Sequence, residues 1–571
     1  MQSVPAIGWC LLSSILFWCS FFPLNAGWLG WIALIPLGWV LQQYVSDAPV
    51  NRWYQRPVLS AWLAGFVFCL LAFQWIRLAS EPMYAVYIVL ALIISLQWYF
   101  FFLFSKLLVR SLHVPFILAA SISWTALEYI RSQIWIGYAW YYLGHTQHDE
   151  LYFIQAADLV GVFGLSFMVM LINMALARVT QRRTLGSVCS ELAPAIVLVG
   201  VASWYGSIQI MKDAGQFTRE QTPRIAVLQG NQPQYLRNDP ELWKTIDETY
   251  VRLGNHAASY QPELIIAPET CLSITWIRPE NDKLPAWAVE RFPRLPVGLE
   301  RCRAWASHYA SQWKADLLFG FNVYDFKNES MKHTNSALLI DRQGNEKAHY
   351  DKIVCLPFGE YIPWADTLPF MKWLSPYEYE YTIKPGNKVT SLPWKQYRIA
   401  PLICYEDTVP HLTRSYMMQE NPHFFVNISN DGWFKGSEEH EEHLVCARFR
   451  CIEHRRSMVR SVNMGISCII DALGRVIALP AHVPSQGEQE TKTGAIPVMG
   501  KNSSSWSEAK AREGVLIGSI PIYSEFTVYT VWGDVLPLAC WLFICLAFCI
   551  SIFIHLKRRH GSATATAANP V

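Results

Sequence analysis

"LICYEDTVP", residues 402–410, is the stretch on which the reading turns. An apolar run ends at Cys404, and Tyr405, Glu406 and Asp407 follow at once. Taken alone, such a cysteine is most often a small apolar core residue. A thiol at the end of a buried strand, beside carboxylates, is also the arrangement of a nucleophile. The surrounding chain decides between the two. Short apolar runs recur at "RIAVLQGN" (224–231), "ELIIAPET" (263–270), "DLLFGFNV" (316–323), "SALLIDRQG" (336–344), "RIAPLICYED" (398–407), "FFVNISND" (424–431) and "ISCIIDALG" (466–474). They read as buried strands. Helical patterns at 239–257, 299–312 and 439–457 separate several of them, which predicts a layered α/β domain with a mixed sheet. Residues 481–512 are polar and aperiodic and read as a surface insertion.

The rest of the chain has a different character. Of 571 residues, 52% are apolar and 16% charged, against about 25% charged in an ordinary soluble domain. The deficit is concentrated in residues 1–211 and 528–556, whereas 222–520 reads as a soluble domain. Crossing the hydrocarbon core takes roughly 20 apolar residues. Candidate spans lie near 5–22, 26–44, 58–78, 84–104, 115–130, 159–177, 192–210 and 535–556, the first two joined by "FPLNAG". A secretory signal peptide is the alternative for the first; no Lys or Arg precedes its apolar run, and a second run follows directly. The net charge of +2 and the lack of long basic runs give no sign of a nucleic-acid partner.

Orientation follows from Lys and Arg in short loops. With eight spans and the N-terminus inside, Arg52, Arg56, Lys106, Arg110, Arg178, Arg182, Arg183, Lys557, Arg558 and Arg559 fall on the cytoplasmic side, and Arg77 and Arg131 on the other. Ten against two places 222–520 outside the cytoplasm, in the periplasm of a bacterium with two membranes, and 557–571 inside as a tail. The 14 cysteines contain no C-x-x-C pair, and no metal or disulfide framework emerges; Cys446 and Cys451 are read as buried apolar residues or a bridge.

Three apolar runs end in groups that can do chemistry: Glu269 in "APET", Lys352 and Glu360 in "YDKIVCLPFGEYIP" (350–363), and Cys404 with Glu406 in "LICYED". A carboxylate can take the thiol proton, the thiolate can attack a carbonyl, and an ammonium can stabilise the oxyanion. No spacing rule forces the three together.

"APET", "YDKIVCLPFGEYIP" and "LICYED", in this order, resemble the nitrilase superfamily of carbon–nitrogen hydrolases. The closer resemblance is to its membrane branch, the apolipoprotein N-acyltransferases. It is carried also by "LEYIRSQIWIGYAWYYLGHTQ" (127–147), "QAADLVGVFGLSF" (155–167), "LQGNQPQ" (228–234), "NSALLID" (335–341), "SNDGWF" (429–434), "HLVCARFRCIEHRRSMVRSVNMGIS" (443–467) and "YTVWGD" (529–534). The resemblance implies a polytopic α-helical membrane protein of about eight transmembrane helices with an inserted nitrilase-like αββα sandwich. It implies Glu269 as general base, Lys352 as oxyanion stabiliser and Cys404 as nucleophile, with Glu360, Tyr405 and Glu406 in support. It implies a fatty acyl chain passed from a phospholipid, typically phosphatidylethanolamine, through a cysteine thioester to the diacylglyceryl-cysteine of an apolipoprotein, with no metal or other cofactor. Three positions depart from the family pattern. Asn238 stands where many members have Trp, Glu442 where they often have Gln, and "GYAW" (137–140) where "GFPW" is commoner.

Two other classes of function compete with this one. A transporter or receptor is disfavoured because the spans hold few internal ionisable residues. A membrane-anchored amidase with water as acceptor is the nearer rival.

Overall fold

The computed structural model describes residues 5–567 apart from 48–54, 135–136, 215–221, 328–329, 375–381, 484–495, 498–503 and 511. The N-terminal apolar runs fold as α1 (Ala6–Cys19), α2 (Ile35–Val45), α3 (Pro57–Ala72), α4 (Met83–Leu112), α5 (Phe116–Gln133), α6 (Ala157–Arg182) and α7 (Ala193–Ala214). Proline in the first turn of α2 and α3 marks where those helices begin. His113 closes α4 in a left-handed conformation, and α5 starts just past Pro115.

The domain that follows carries α8 (Trp243–Ala258), α9 (Leu295–Trp313), α10 (Pro410–Gln419) and α11 (Glu439–His454). Its strands are β1 (Ile225–Gln229), β2 (Leu264–Ile266), β3 (Trp276–Arg278), β4 (Asp316–Lys327), β5 (Ser330–Ile340), β6 (Glu346–Asp351), β7 (Leu392–Trp394), β8 (Tyr397–Ile403), β9 (Phe424–Ser429), β10 (Ser457–Val462), β11 (Cys468–Ile470), β12 (Val476–Leu479), β13 (Ala481–His482), β14 (Ile496–Pro497) and β15 (Gly514–Gly518). One sheet runs β13-β15-β1-β2-β4-β5-β6 with β3 beside β4; the other runs β14-β12-β11-β10-β9-β8-β7. Each has a parallel centre, β1-β2-β4 and β8-β9-β10, and antiparallel flanks. Parallel strands are buried on both faces, which is why they read as unbroken apolar runs.

The layering follows from alternation along β1. Ile225 and Val227 join the core that holds Ile399, Phe425 and Val459 of the second sheet, whereas Ala226 and Leu228 face Tyr250 and Leu253 of α8 and Ala306 of α9. Leu412 and Tyr416 of α10 and Leu444 and Phe449 of α11 back the second sheet. The order is helix, sheet, sheet, helix. The inter-sheet core is also continuous with Phe17, Phe68, Trp98 and Trp124 of the apolar helices.

After the sandwich the chain forms a short helix, Val528–Trp532, and then α12 (Val535–Ala567). A helix therefore lies at each of the eight expected spans. Among the described residues, four are long and apolar enough to cross a membrane: Met83–Leu112, Ala157–Arg182, Leu185–Asp213 and Val535–Lys557. α1 and α3 are apolar but shorter. α5 carries Ser121, Ser123, Thr125 and Glu128 buried against its neighbours, a polar content that a bundle-interior helix tolerates and a lipid-facing one does not.

Two expectations need correction. The stretch 481–512 is not simply a polar surface insertion: it supplies β13 and β14, and a helix at Ser504–Ala509 buries Trp506 and Ala509 in the main core. Residues 484–495, 498–503 and 511 of that stretch lie outside the described residues. The run 466–474 forms a strand only over Cys468–Ile470, because Asp471 then accepts the N–H groups of Leu473 and Arg475 in a turn.

Every residue of α11 is buried, since it packs on the second sheet and on α6. Its polar side chains join the two parts of the chain. Glu453 accepts the Val162 N–H at 3.0 Å, and Glu442 accepts the Phe22 N–H at 2.8 Å. Just past the helix, Arg455 pairs with Asp158 at 2.6 Å. Cys446 and Cys451 are buried free thiols on this helix, and all 14 cysteines are free. Burial pushes the Glu442 carboxyl up to about 8, with Glu441 and Glu438 adding to the rise. The folded chain therefore holds a proton there that the unfolded chain releases above the ordinary glutamate range, and stability falls as pH rises from about 4.5 to about 8. Glu442→Gln removes this penalty. Thermal unfolding should show the variant raised by about 2 °C or more over the parent at pH 8 and little changed at pH 5.

Candidate active site

Cys404 directly follows β8, in the left-handed region with φ 55°. A non-glycine residue there is strained, and it persists because its surroundings fix it. Asn427 of β9 donates to the Cys404 carbonyl at 2.9 Å. The buried Glu406 does more. One oxygen accepts from Tyr350 Oη at 2.9 Å, Ile353 N at 2.7 Å and Val354 N at 2.9 Å, and the other from Ile403 N at 2.8 Å. One side chain thus ties the strand carrying Cys404 to the segment carrying Lys352. Tyr405 donates its hydroxyl to the Gly137 carbonyl, linking this turn to the segment after α5.

Lys352 is buried, with its Nζ 2.9 Å from Glu360 and 3.4 Å from Glu269. Asn335 donates to both carboxylates, at 2.6 Å to Glu269 and 3.0 Å to Glu360. The Asn430 N–H reaches the second Glu269 oxygen at 3.1 Å, and the Leu356 N–H reaches Glu360 at 2.8 Å. β4 passes so close that a Cβ at Gly320 would lie 2.6 Å from the Glu269 Cα, which makes glycine obligatory there.

Glu269, Lys352, Glu360, Cys404 and Tyr405 all line one cavity of about 1000 Å³. Glu406 does not line it and acts from behind. Burial raises the Glu269 carboxyl above its usual range, against the pull of Lys352. Burial alone would depress the Lys352 ammonium, but Glu360 and Glu269 outweigh it and hold its pKa well above normal. Burial, followed by the Glu269 charge, holds the Cys404 thiol well above normal, with Lys352 opposing. The resting state is therefore a thiol beside a carboxylate and a fixed ammonium. Such a thiol needs a base at the moment of attack rather than beforehand.

Apolar lining of the same cavity comes from Leu90, Ile94 and Phe100 of α4, Leu127 and Ile130 of α5 and Trp541 of α12. Trp243, Trp433 and Phe434 also line it, a contribution the sequence reading did not single out. Asn238 lies in the short helix Gln234–Asn238, and its side chain lies outside the described residues. Asp431, Glu439 and His443 come within 4.8 Å of one another, a spacing that would suit a metal ion. His443 is instead bonded through both ring nitrogens, to Asp407 at 2.6 Å and Asp431 at 3.2 Å. Burial would lower its pKa, but Asp407 and Asp431 raise it to about 10, so neither nitrogen offers a lone pair. Arg460 completes this charge network through Asp407.

A four-layer sandwich with carboxylate, ammonium and thiol meeting in one cavity defines a domain of the carbon–nitrogen hydrolase class. Residues 224–498 match the family described as carbon-nitrogen hydrolase, and 13–175 match the apolipoprotein N-acyltransferase N-terminal domain. The apolipoprotein N-acyltransferase of Geobacter metallireducens is 28% identical over 75% of this chain and 72% of its own. That of Chlorobaculum tepidum is 25% identical over 90% of this chain and 89% of its own. Among solved structures, an amidase from Nesterenkonia sp. is similar at 14% identity, over 54% of this chain and 94% of its own, with a TM-score of 0.33. This chain belongs to the apolipoprotein N-acyltransferase family, the membrane branch of the carbon–nitrogen hydrolases.

The Glu406 contacts give a direct test of the site's scaffold. Glu406→Gln keeps the shape but leaves one acceptor oxygen for four donors, and each buried donor left unmet costs about 1–3 kcal/mol. The variant should unfold at lower temperature and N-acylate a lipopeptide at least tenfold more slowly, measured by thermal melting and by lipopeptide mass.

Proposed function

We propose that this chain transfers a fatty acyl chain from a membrane phospholipid to the N-terminal α-amino group of the diacylglyceryl-cysteine of an apolipoprotein, by a ping-pong route through a thioester on Cys404. The observation that carries this reading is one cavity lined both by Cys404, Lys352 and Glu269 and by apolar side chains of α4, α5 and α12. A small-amide hydrolase has no use for an apolar lining drawn from helices of membrane character.

In the first half-reaction Glu269 takes the thiol proton as Cys404 attacks the ester carbonyl. Lys352 offsets the charge on the oxyanion, and Glu360 fixes Lys352 in turn. Collapse expels the glycerol oxygen, which takes the proton back from Glu269, and the lysophospholipid leaves. In the second half-reaction the α-amine attacks the thioester, Glu269 accepts its proton, and Cys404 leaves as thiol. With a pKa near ~8, a fraction of such amines is neutral around neutrality. Donor and acceptor are both held in one leaflet, which raises their effective concentration at a site facing the bilayer.

The apolar helices and the bacterial relatives mark a bacterial membrane protein. We read it as an eight-span inner-membrane protein. Residues 1–211 form its membrane domain, 222–520 a periplasmic catalytic domain and 528–556 a last span, with 557–571 cytoplasmic. The Lys/Arg bias of the loops supports this orientation. Phosphatidylethanolamine is the proposed donor. α12 continues as helix through Ala567, so part of the proposed tail is helical.

The test is mass spectrometry of a diacylglyceryl-cysteine lipopeptide incubated with enzyme and phospholipid. We expect one amide-linked acyl chain gained with the parent and none with Cys404→Ala, which should also carry no acyl adduct. Free fatty acid with an unmodified lipopeptide would replace this reading with that of a hydrolase. Cys404 acylation should also fall as pH drops through the Glu269 pKa, which lies above the ordinary glutamate range. Glu269→Gln should abolish that acid limb and lose about 100-fold or more in rate, the usual size of a lost general base.

A further inference from the structure

The cavity lining holds charged groups that the chemistry above leaves unused, Arg131 and His443 among them. Arg131, in the last turn of α5, lines the same cavity as Cys404 and is nine-tenths buried, with 9% of its surface exposed. Its Nη2 donates to the Trp140 carbonyl at 2.9 Å, and the guanidinium lies 4.9 Å from the Tyr142 ring centroid. Its Nε has no hydrogen-bond partner among the described residues. Glu128, the carboxylate nearest in sequence, accepts from Trp124 and from Leu143 N, each at 2.8 Å, and forms no ion pair with Arg131 among the described residues. Glu128 offsets the Arg131 charge without a direct ion pair, and the Nε left without a partner among the described residues offers a donor to an anion that arrives from elsewhere.

Two further donors of the same wall, Tyr138 Oη and Trp140 Nε1, are buried without a hydrogen-bond partner among the described residues. The three donors belong to one short stretch that is tied to the nucleophile's turn. The Tyr138 N–H donates to the Arg131 carbonyl at 2.9 Å, and the Gly137 carbonyl accepts from Tyr405, the residue after Cys404. The apolar face of α4 continues beyond them.

Building on the function proposed above, we propose that Arg131, with Tyr138 and Trp140, forms a subsite for the phosphate of the acyl donor. A guanidinium with an unpartnered Nε matches a phosphate oxygen by a charge-assisted hydrogen bond. In a glycerophospholipid only the glycerol separates the phosphate from the scissile ester, so a phosphate near Tyr405 leaves the ester at Cys404 and the chain along α4. The subsite also accounts for an asymmetry of the reaction. Donor and acceptor both carry two acyl chains on glycerol, but the diacylglyceryl-cysteine has no phosphate. Arg131 therefore favours the donor in the first half-reaction and gives no hold on the acceptor in the second.

The experiment compares the parent with R131Q and R131K in detergent. It measures Cys404 acylation from phosphatidylethanolamine and from the uncharged donor p-nitrophenyl palmitate, and then transfer from the preformed acyl-enzyme to the lipopeptide. The expected result is a KM for the phospholipid raised at least tenfold in R131Q, a loss at least fivefold larger than that on the uncharged ester or on the transfer step, and partial recovery in R131K. Equal losses on both donors would mean a structural role, no loss would mean no role, and R131K as poor as R131Q would remove the charge argument; each overturns the proposal. Inorganic phosphate added with the uncharged ester should not change the rate. An effect seen in the parent and lost in R131Q would assign the subsite to a free anion and overturn the lipid assignment. If Cys404 accepts no acyl chain from either donor in the parent, the function itself fails, which is a different outcome.

Discussion

A buried ammonium held between two carboxylates is the constraint on which the structure depends. Lys352 lies within 2.9 Å of Glu360 and 3.4 Å of Glu269, out of contact with water. Removing one partner of a buried charge pair typically costs about 3–5 kcal/mol, so none of the three is free to move alone. The neighbouring polar groups serve to keep this arrangement. Asn335 bridges the carboxylates, Asn430 and Leu356 offer backbone N–H groups to them, and Glu406 fixes the chain on either side. The result is a thiol held protonated by burial and by the Glu269 charge against the pull of Lys352.

The second constraint is that the catalytic sandwich cannot be separated from the apolar helices. The inter-sheet core runs into the helix bundle without a polar break, and α11 is buried along its full length between the two. Glu453, Glu442 and Arg455 each satisfy a group on the membrane side. Such an interface fixes α4 and α12, which line the cavity, relative to the sandwich.

Much of this was legible in the sequence, for physical reasons. Parallel strands buried on both faces leave unbroken apolar runs, so β1, β2, β4, β8 and β9 were found where expected. The three chemical groups stand at or near strand ends within distinctive motifs, and the fold brings all three to one cavity. Other features left no one-dimensional signal. Trp506 sits in a polar, aperiodic stretch, and its burial depends on stacking against Arg448 and Phe22, which are distant in sequence. Arg131 counts as an outer-loop charge in a topology tally, yet the fold turns it into a cavity wall. Asn335 looks like an ordinary strand residue until β5 places it between two glutamates.

The Lys352 ammonium, clamped by its carboxylates, lowers the pKa of the Cys404 thiol against burial and the Glu269 charge. The most direct test is the rate at which iodoacetamide alkylates Cys404 in the parent and in Lys352→Met, followed by peptide mass spectrometry at neutral pH in folded protein. Loss of the ammonium leaves the sulfur facing carboxylates alone, and one pKa unit is a factor of ten in thiolate. Alkylation should be slowed about tenfold or more in Lys352→Met. An unchanged or faster rate would contradict it.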